Sequence, residues 1–531
     1  MRAFPVGALV IALVSVSVYL GWTARVLEDM RLSRGLALAL LAVMFLGAIL
    51  PEPLLLPGLA VDIGGALVPA GVALYLLVTA GTRRERVRAG FSALAVAVVL
   101  LLMDRTFPLE PGLGLNLDPD PLLSPAMIAA FLGFLLGRSR RSAFVAATLG
   151  VVSVDLLAWL ENAARGLEGA VVALGGAGVF DATVVAGVLA VALTQMMLGL
   201  GDILSRRGLR WNKIVPTAGL LLMLTALAVA ATQVTPPPSG KAEVQDRPFS
   251  LVDSDGNLLI VTSRVISPGD VFIDSEGNAH QVVLIQGRLA RTLPVSPTQS
   301  LKMGLGPVAQ EDPDTLLDLL RDFLGMDGDN GAPTDPDDNL GLVGIYHTHN
   351  AESYVPSDGT HSIYGRGGVH RVGQVLAHEL KTRDVPVAHS ENLHLPHDRG
   401  AYRRSRRTAV ELISLQPTLL FDVHRNAAPG WVYAREIQGQ PAAAIALVVG
   451  AYNPNMGYNQ GFARELQALA EEMYPDLIRG ILVLNGNYNQ DLGPRTLLLE
   501  VGAHTNTREA AETSMRFFAD VVREYLERLR D

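Results

Sequence analysis

The chain divides sharply by hydropathy, and that division limits what it can fold into. Residues 1–232 are almost wholly apolar and contain none of the eleven histidines, while residues 341–531 hold ten of them. The mean hydropathy of +0.30 therefore describes neither half. Apolar runs occur at about 6–22, 35–50, 66–81, 89–103, 122–137, 143–160, 182–200 and 215–232. A helix crossing a bilayer needs about 20 apolar residues, so residues 1–232 are expected to form an all-α polytopic membrane region of about eight spans. The first run lacks a small-residue cleavage site and further spans follow it, so it reads as a span and not as a cleaved signal.

The loops between these runs alternate in charge. Arg25, Arg31 and Arg34 follow the first run, Arg83, Arg84, Arg86 and Arg88 the third, Arg138, Arg140 and Arg141 the fifth, and Arg206, Arg207, Arg210 and Lys213 the seventh. The segment 51–65 has no Lys or Arg, and 104–121 has only Arg105. Basic loops stay cytoplasmic, which places everything after residue 232 outside the membrane; Arg2 alone opposes this. Asp155 falls inside the sixth run, where an acid joins a neighbouring helix, lies near the interface beside Glu161, or marks a transport path. Asp62 and Asp181 flank apolar runs in VDIGGALVPAGVALYLL and GVFDATVVAG, two stretches that resemble a family of polytopic membrane proteins of unknown function. That resemblance implies no mechanism, and anchoring in the lipid bilayer is the expected role of this half.

Residues 233–246, with three consecutive prolines, read as a semi-rigid linker. In 247–300, Asp255-Gly256 and Glu276-Gly277-Asn278 sit between short β-branched runs, the pattern of a small all-β module of hairpins. It contains no catalytic-looking cluster. Residues 301–340 form a second linker, acidic from 309, with a short amphipathic helix expected near 314–324. A net charge of -9 without a basic stripe argues against nucleic-acid binding. The absence of cysteine excludes disulfides and thiolate metal sites, so any metal here must be held by histidine and carboxylate.

From 341 to 531 strands alternate with helices, which implies an α/β domain with a mostly parallel sheet and a site beyond the strand C-terminal ends. Three polar signals fall at such ends. Tyr346-His347-Thr348-His349-Asn350-Ala351-Glu352 contains an H-x-x-E pair. In Phe421-Asp422-Val423-His424-Arg425-Asn426 the two-residue period puts Asp422 and His424 on one face. Glu500 lies within the apolar run Leu497–Val501, where an ionised carboxylate is costly unless paired or linked to metal; Arg495 is a candidate partner. Two histidines and a carboxylate are the ligand set of hydrolytic zinc, with the fourth position left to water and a further carboxylate to take its proton. His361, His378, His389, His394, His397 and His504 read as structural or surface residues. The cluster Arg399, Arg403, Arg404, Arg406 and Arg407 reads as a solvated helix face or a contact for an anionic polymer.

IYHTHNAESYVP, FDVHRNA and YNQDLGPRTLLLEVGAHTNTREAAETS strongly resemble the stage II sporulation protein P family over roughly 341–525, and the segment 247–300 does so more loosely. The resemblance implies a Zn2+-dependent N-acetylmuramoyl-L-alanine amidase. Such an enzyme cuts peptidoglycan between N-acetylmuramic acid and L-alanine during engulfment in endospore formation. A zinc endopeptidase or carboxypeptidase acting on stem peptides or cross-links is the alternative. Other engulfment proteins of the membrane and a glycan-cleaving enzyme are the implied partners. His349 and His424 match the family's zinc ligands and Glu500 its catalytic glutamate. The third ligand, a Glu at the start of the helix that here begins at His370, has no counterpart, so Glu352 is favoured, with His347 or His370 as substitutes. Family members commonly carry a single N-terminal anchor in place of eight spans.

Overall fold

The computed structural model describes Val16 and residues 27–28, 30–47, 53–106, 123–167, 170–176, 182–205, 248–295, 340–398 and 400–530. The expected first span (Val16 apart), the eighth span, the proline linker and the acidic linker up to 339 lie outside the described residues, as do Asp181 and the basic residues 206–213. Helices α1 (Arg34–Gly47), α2 (Val68–Val78), α3 (Arg83–Thr106), α4 (Leu123–Gly137), α5 (Arg140–Ala164) and α6 (Ala182–Ser205) fall on the six central apolar runs. Of these, two contain apolar stretches long enough to cross a membrane by length and composition, Arg83–Arg105 in α3 and Arg140–Ala164 in α5. The described part is therefore a helical region with two full-length apolar helices and four shorter ones, and eight complete spans are not seen.

These helices pack through small residues. Their largest buried cluster is dominated by alanine from α4, α5 and α6, among them Ala129, Ala146 and Ala186. A Cβ on Gly150 of α5 would come within 2.4 Å of Val96 on α3. Where lipid and side chain are equally apolar, such close backbone approach is a main source of helix association. Asp62 caps a short π-helical turn, Ile63–Leu67, by accepting from Gly65 N–H. Three short strands, β1 (Leu54–Leu56), β2 (Leu59–Val61) and β3 (Val172–Leu174), form a separate three-stranded sheet.

The rest of the chain builds one mixed sheet. β4 (Phe249–Val252), β5 (Leu258–Thr262), β6 (Val271–Ile273), β7 (Ala279–Gln286) and β8 (Leu289–Val295) are the strands of the β module. They are followed by β9 (Val343–Tyr346), α7 (Gly368–Lys381), β10 (Val387–His389), α8 (Ala401–Ser414) and β11 (Leu419–Asn426). The hairpin β12 (Ala434–Ile437) and β13 (Gln440–Ala443) leads into β14 (Ile445–Gly450), α9 (Met456–Met473), β15 (Ile478–Leu484), β16 (Thr496–Ala503) and α10 (Arg508–Arg530). The order across the sheet is β10-β9-β11-β16-β14-β15-β6-β7-β8-β4-β5. β10, β9, β11 and β16 run parallel, as do β14 and β15, whereas β16 and β14 are antiparallel. β6 then joins β15 antiparallel, so the module extends the same sheet.

Alternation along the strands sorts the side chains. Leu419, Phe421 and Val423 of β11 and Leu497, Leu499 and Val501 of β16 bury against α7, α9 and α10. The opposite face of β14–β16 packs Ala446, Val448, Leu482 and Leu498 against Phe249, Leu251, Ile260 and Phe272 of the module, so the sheet folds its far strands over its own surface. Asp422 and His424 lie on this second face, as the two-residue period predicts. Two long helices of the apolar half abut the sheet domain. Asn162 of α5 donates from Nδ2 to Leu395 O at 3.1 Å and accepts from Tyr364 OH at 3.0 Å.

Candidate active site

The three polar signals converge at the C-terminal ends of β9, β11 and β16. His349 and Glu352 stand on the turn leaving β9, His424 near the end of β11, and Glu500 pairs with His424 in the parallel register of β11 and β16. Gly502, at φ 66°, carries the register shift just beyond. His349, Glu352 and His424 each offer one ligand atom, all within 4.8 Å of one another, and all three residues are buried. Glu352 lies between the two rings: Oε1 is 3.5 Å from His349 Nδ1 and Oε2 is 3.5 Å from His424 Nδ1.

Those separations exceed a good N–H···O bond and lie near the edge of about 3.4 Å that a tetrahedron has when metal–ligand distances are about 2.1 Å, so the group could hold a cation. The surrounding groups hold the ligands in place. Asp422 Oδ1 lies 3.0 Å from His424 Nε2, which leaves Nδ1 facing Glu352. Asp422 in turn accepts from Thr348 N–H at 2.8 Å and from Thr348 Oγ1 at 2.6 Å. This is the carboxylate–histidine pattern that orients metal ligands. Glu352 Oε2 accepts from Arg425 N–H at 3.0 Å.

The protonation states follow from these contacts. Burial pushes His349 down to about 3, so it stands neutral with a lone pair to give. Burial also disfavours a charged His424, but Asp422 and Glu352 override it and raise the ring to about 9, an anionic setting in which a bound cation would take the place of that proton. For Glu352 burial again opposes ionisation, and His424 and Arg425 hold the carboxyl well below its usual range.

The substitute ligands go elsewhere. His347 bonds through Nδ1 to Val423 O and through Nε2 to His389 Nε2, both at 3.0 Å. His370 is 3.1 Å from Asn350 Nδ2, with its ring 4.5 Å from that of His347. Among the described residues, the group close enough to share a metal is the one with Glu352.

Residues 310–523 match the family described as Stage II sporulation protein P (SpoIIP). The chain is 30% identical over 218 residues to the Stage II sporulation protein P of Bacillus subtilis (strain 168), covering 37% of this chain and 54% of that one. The C-terminal part of this chain is thus similar to that family and to that relative. The chain spans about half the length of that curated relative. Residues 41–193 match a family described as a protein of unknown function (DUF1614). Similar solved structures include the N-acetylmuramyl-L-alanine amidase Ami1 of Mycobacterium smegmatis, at 15% identity and TM-score 0.25, covering 36% of this chain and 99% of that one. The N-acetylmuramoyl-L-alanine amidase of Clostridium difficile 630 is 18% identical with TM-score 0.24, covering 35% and 96%.

Two features of the C-terminal domain escape sequence reasoning. Glu500 is not paired with Arg495, which stands five residues earlier in the turn that precedes β16. Its partner is Arg264 of the β module, which donates from Nε to Glu500 Oε1 at 2.5 Å and bonds the same oxygen through Nη2. An arginine in a loop reads as a surface residue, so nothing local marks it. The second feature is the arginine cluster of α8, expected as a solvated face. Arg403 and Arg406 are buried instead. Arg403 Nη2 lies 3.2 Å from Asp104 and 3.3 Å from Asp155 of the apolar half, and Arg406 holds Asp491 with two nitrogens at 2.8 and 2.6 Å. Asp155 thus meets a cation from the sheet domain.

Proposed function

We propose that this protein is a membrane-attached, zinc-dependent peptidoglycan hydrolase. It cleaves the amide between N-acetylmuramic acid and the L-alanine of the stem peptide, outside the cytoplasmic membrane, during endospore formation. The observation that carries this reading is the buried His349–Glu352–His424 group beside Glu500 within a SpoIIP-like domain. His349, Glu352 and His424 would hold the cation, which when bound supplies Lewis acidity and a water of lowered pKa. Asp422 keeps the His424 ring turned toward the group, and Arg425 fixes Glu352 while its guanidinium ties down Ser353 O and His361 O. Glu500 offers Oε2, which is buried without a hydrogen-bond partner among the described residues. That oxygen accepts the proton of the attacking water and returns it to the leaving nitrogen, the general acid–base work that amide cleavage requires.

The orientation of the apolar half supports an extracytoplasmic site. α3 and α5 both begin at arginine clusters and run toward the sheet domain, with Asp104, Asp155 and Asn162 contacting it in their later turns. Engulfment partners of the membrane and a glycan-cleaving enzyme are proposed from the family resemblance.

The test is mass spectrometry of peptidoglycan digested by the purified full chain, with and without chelator, alongside His424→Ala and Glu352→Ala. Free stem peptides starting at L-alanine, lost with chelator and restored by zinc, are expected, together with loss of stoichiometric metal in both variants. Products cut only within peptides would favour the endopeptidase or carboxypeptidase alternative. Stoichiometric zinc in either variant would remove that residue from the ligand set.

A further inference from the structure

We propose that Arg264 of the β module is a positioning residue for the hydrolytic site, aiming Glu500 and making the module part of the catalytic unit. This rests on the reading of Glu500 as the proton-transfer group. Arg264 and Glu500 are each 1% exposed, so neither is balanced by solvent. Both Nε and Nη2 of Arg264 engage the single oxygen Oε1. An arginine forked across both carboxylate oxygens would occupy the base completely. Here one oxygen is clamped and Oε2 is left for a proton.

The remaining guanidinium nitrogen, Nη1, donates to Tyr402 OH at 2.9 Å. Tyr402 packs its ring edgewise on His349, with centroids 5.2 Å apart, and nearly parallel to His424 at 6.3 Å. Arg264 therefore sets Glu500 against the same aromatic wall that borders both candidate histidine ligands.

The loop carrying Arg264 is itself fixed to the site strand. Ser263 donates from N and Oγ to Asn426 Oδ1 at 2.9 and 3.1 Å, and Asn426 Nδ2 donates to Thr262 Oγ1 at 3.0 Å. Asn426 follows His424 by two residues on β11. A module that only enlarged the sheet would need no such attachment beside the site. Lysine, a point charge on a flexible stem, cannot reproduce a guanidinium held by two partners at once.

The experiment measures kcat, KM, bound metal and melting temperature for the full chain in detergent acting on soluble glycan-strand fragments. The variants are Arg264→Gln, Arg264→Lys, Glu500→Gln and the double Arg264→Gln/Glu500→Gln. Arg264→Gln is expected to keep its metal and its KM, while kcat falls about 10–100-fold, the usual size of a supporting-residue effect. Arg264→Lys should recover part of that loss. With Glu500 already changed to Gln, removing Arg264 should cost no further kcat, because its effect passes through the carboxylate. An equal fold-loss in both backgrounds, or wild-type kcat in Arg264→Gln beside an inactive Glu500→Gln, would overturn the proposal. If Arg264→Gln does not fold, wild-type kcat in folded Arg264→Lys would overturn it equally. Full turnover in Glu500→Gln would instead bring down the reading of Glu500, and this inference with it.

Discussion

Replacing Glu500 by glutamine should be felt in stability as well as in turnover, because its partner is a buried cation. At about 3 Å and an effective dielectric of about 20, the Arg264–Glu500 attraction is about 5 kcal/mol gross. Most of this offsets the cost of burying both charges, so the intact pair adds little net stability. Removing one charge strands the other, and broken buried pairs cost about 3–5 kcal/mol. The glutamine carbonyl still accepts from Arg264, which puts Glu500→Gln near 3 kcal/mol and Arg264→Met near the upper end. At about 2 °C per kcal/mol for a domain of this size, the expected falls in melting temperature are about 6 and 10 °C. Arg264→Met/Glu500→Leu removes both charges and should lose much less than the sum of the single changes. The assay is thermal unfolding of the full chain in detergent, with turnover normalised to folded protein; Glu500→Gln should lose about 10²-fold or more. Falls below about 2 °C for both single variants would mean that the pair is not buried in the working protein. Strict additivity in the double variant would mean that the two residues do not act on each other.

Three further outcomes are expected. Arg403→Met leaves Asp104 and Asp155 without the guanidinium that ties α8 to the apolar half; amide hydrogen exchange across 395–414 should speed up in the full chain, and unchanged exchange would refute this docking. A reporter that works only outside the cytoplasm, fused after residue 240, should be active, since the basic loops precede the helix ends that meet the sheet domain; an inactive reporter would put the proposed enzyme and the wall on opposite sides of the membrane. Burial pushes Asp270 up to about 7 from an ordinary 3.8, against backbone N–H donors from Ser267 and Asn485. A carboxyl raised in the folded state contributes stability that is full below about pH 4 and is lost as pH rises through about 7, by up to about 4 kcal/mol. The melting temperature of the wild type should therefore fall relative to Asp270→Asn over that window, and a pH-independent difference would show that Asp270 does not titrate there.

The sequence alone determined whatever short-range chemistry dictates. Hydropathy separated the helical half from the sheet domain, because burial against lipid or core acts on every residue of a segment. The two-residue period put Asp422 and His424 on one face, and the turn after β9 kept His349 and Glu352 three residues apart. Those local regularities, with a carboxylate embedded in an apolar strand, were enough to mark all four candidate site residues. Tertiary structure alone decided the partners. Glu352, not His347 or His370, faces the two histidines because the turn leaving β9 directs His347 to Val423 and His389 instead. Arg264 reaches Glu500 from 236 residues away because β6 joins β15 and carries the module back over the sheet. Arg403 meets Asp155 because α8 lies against helices from the other end of the chain. Charge pairing of this kind depends on position in space and leaves no period or spacing in sequence, so a buried arginine and a surface arginine read alike until the chain is folded.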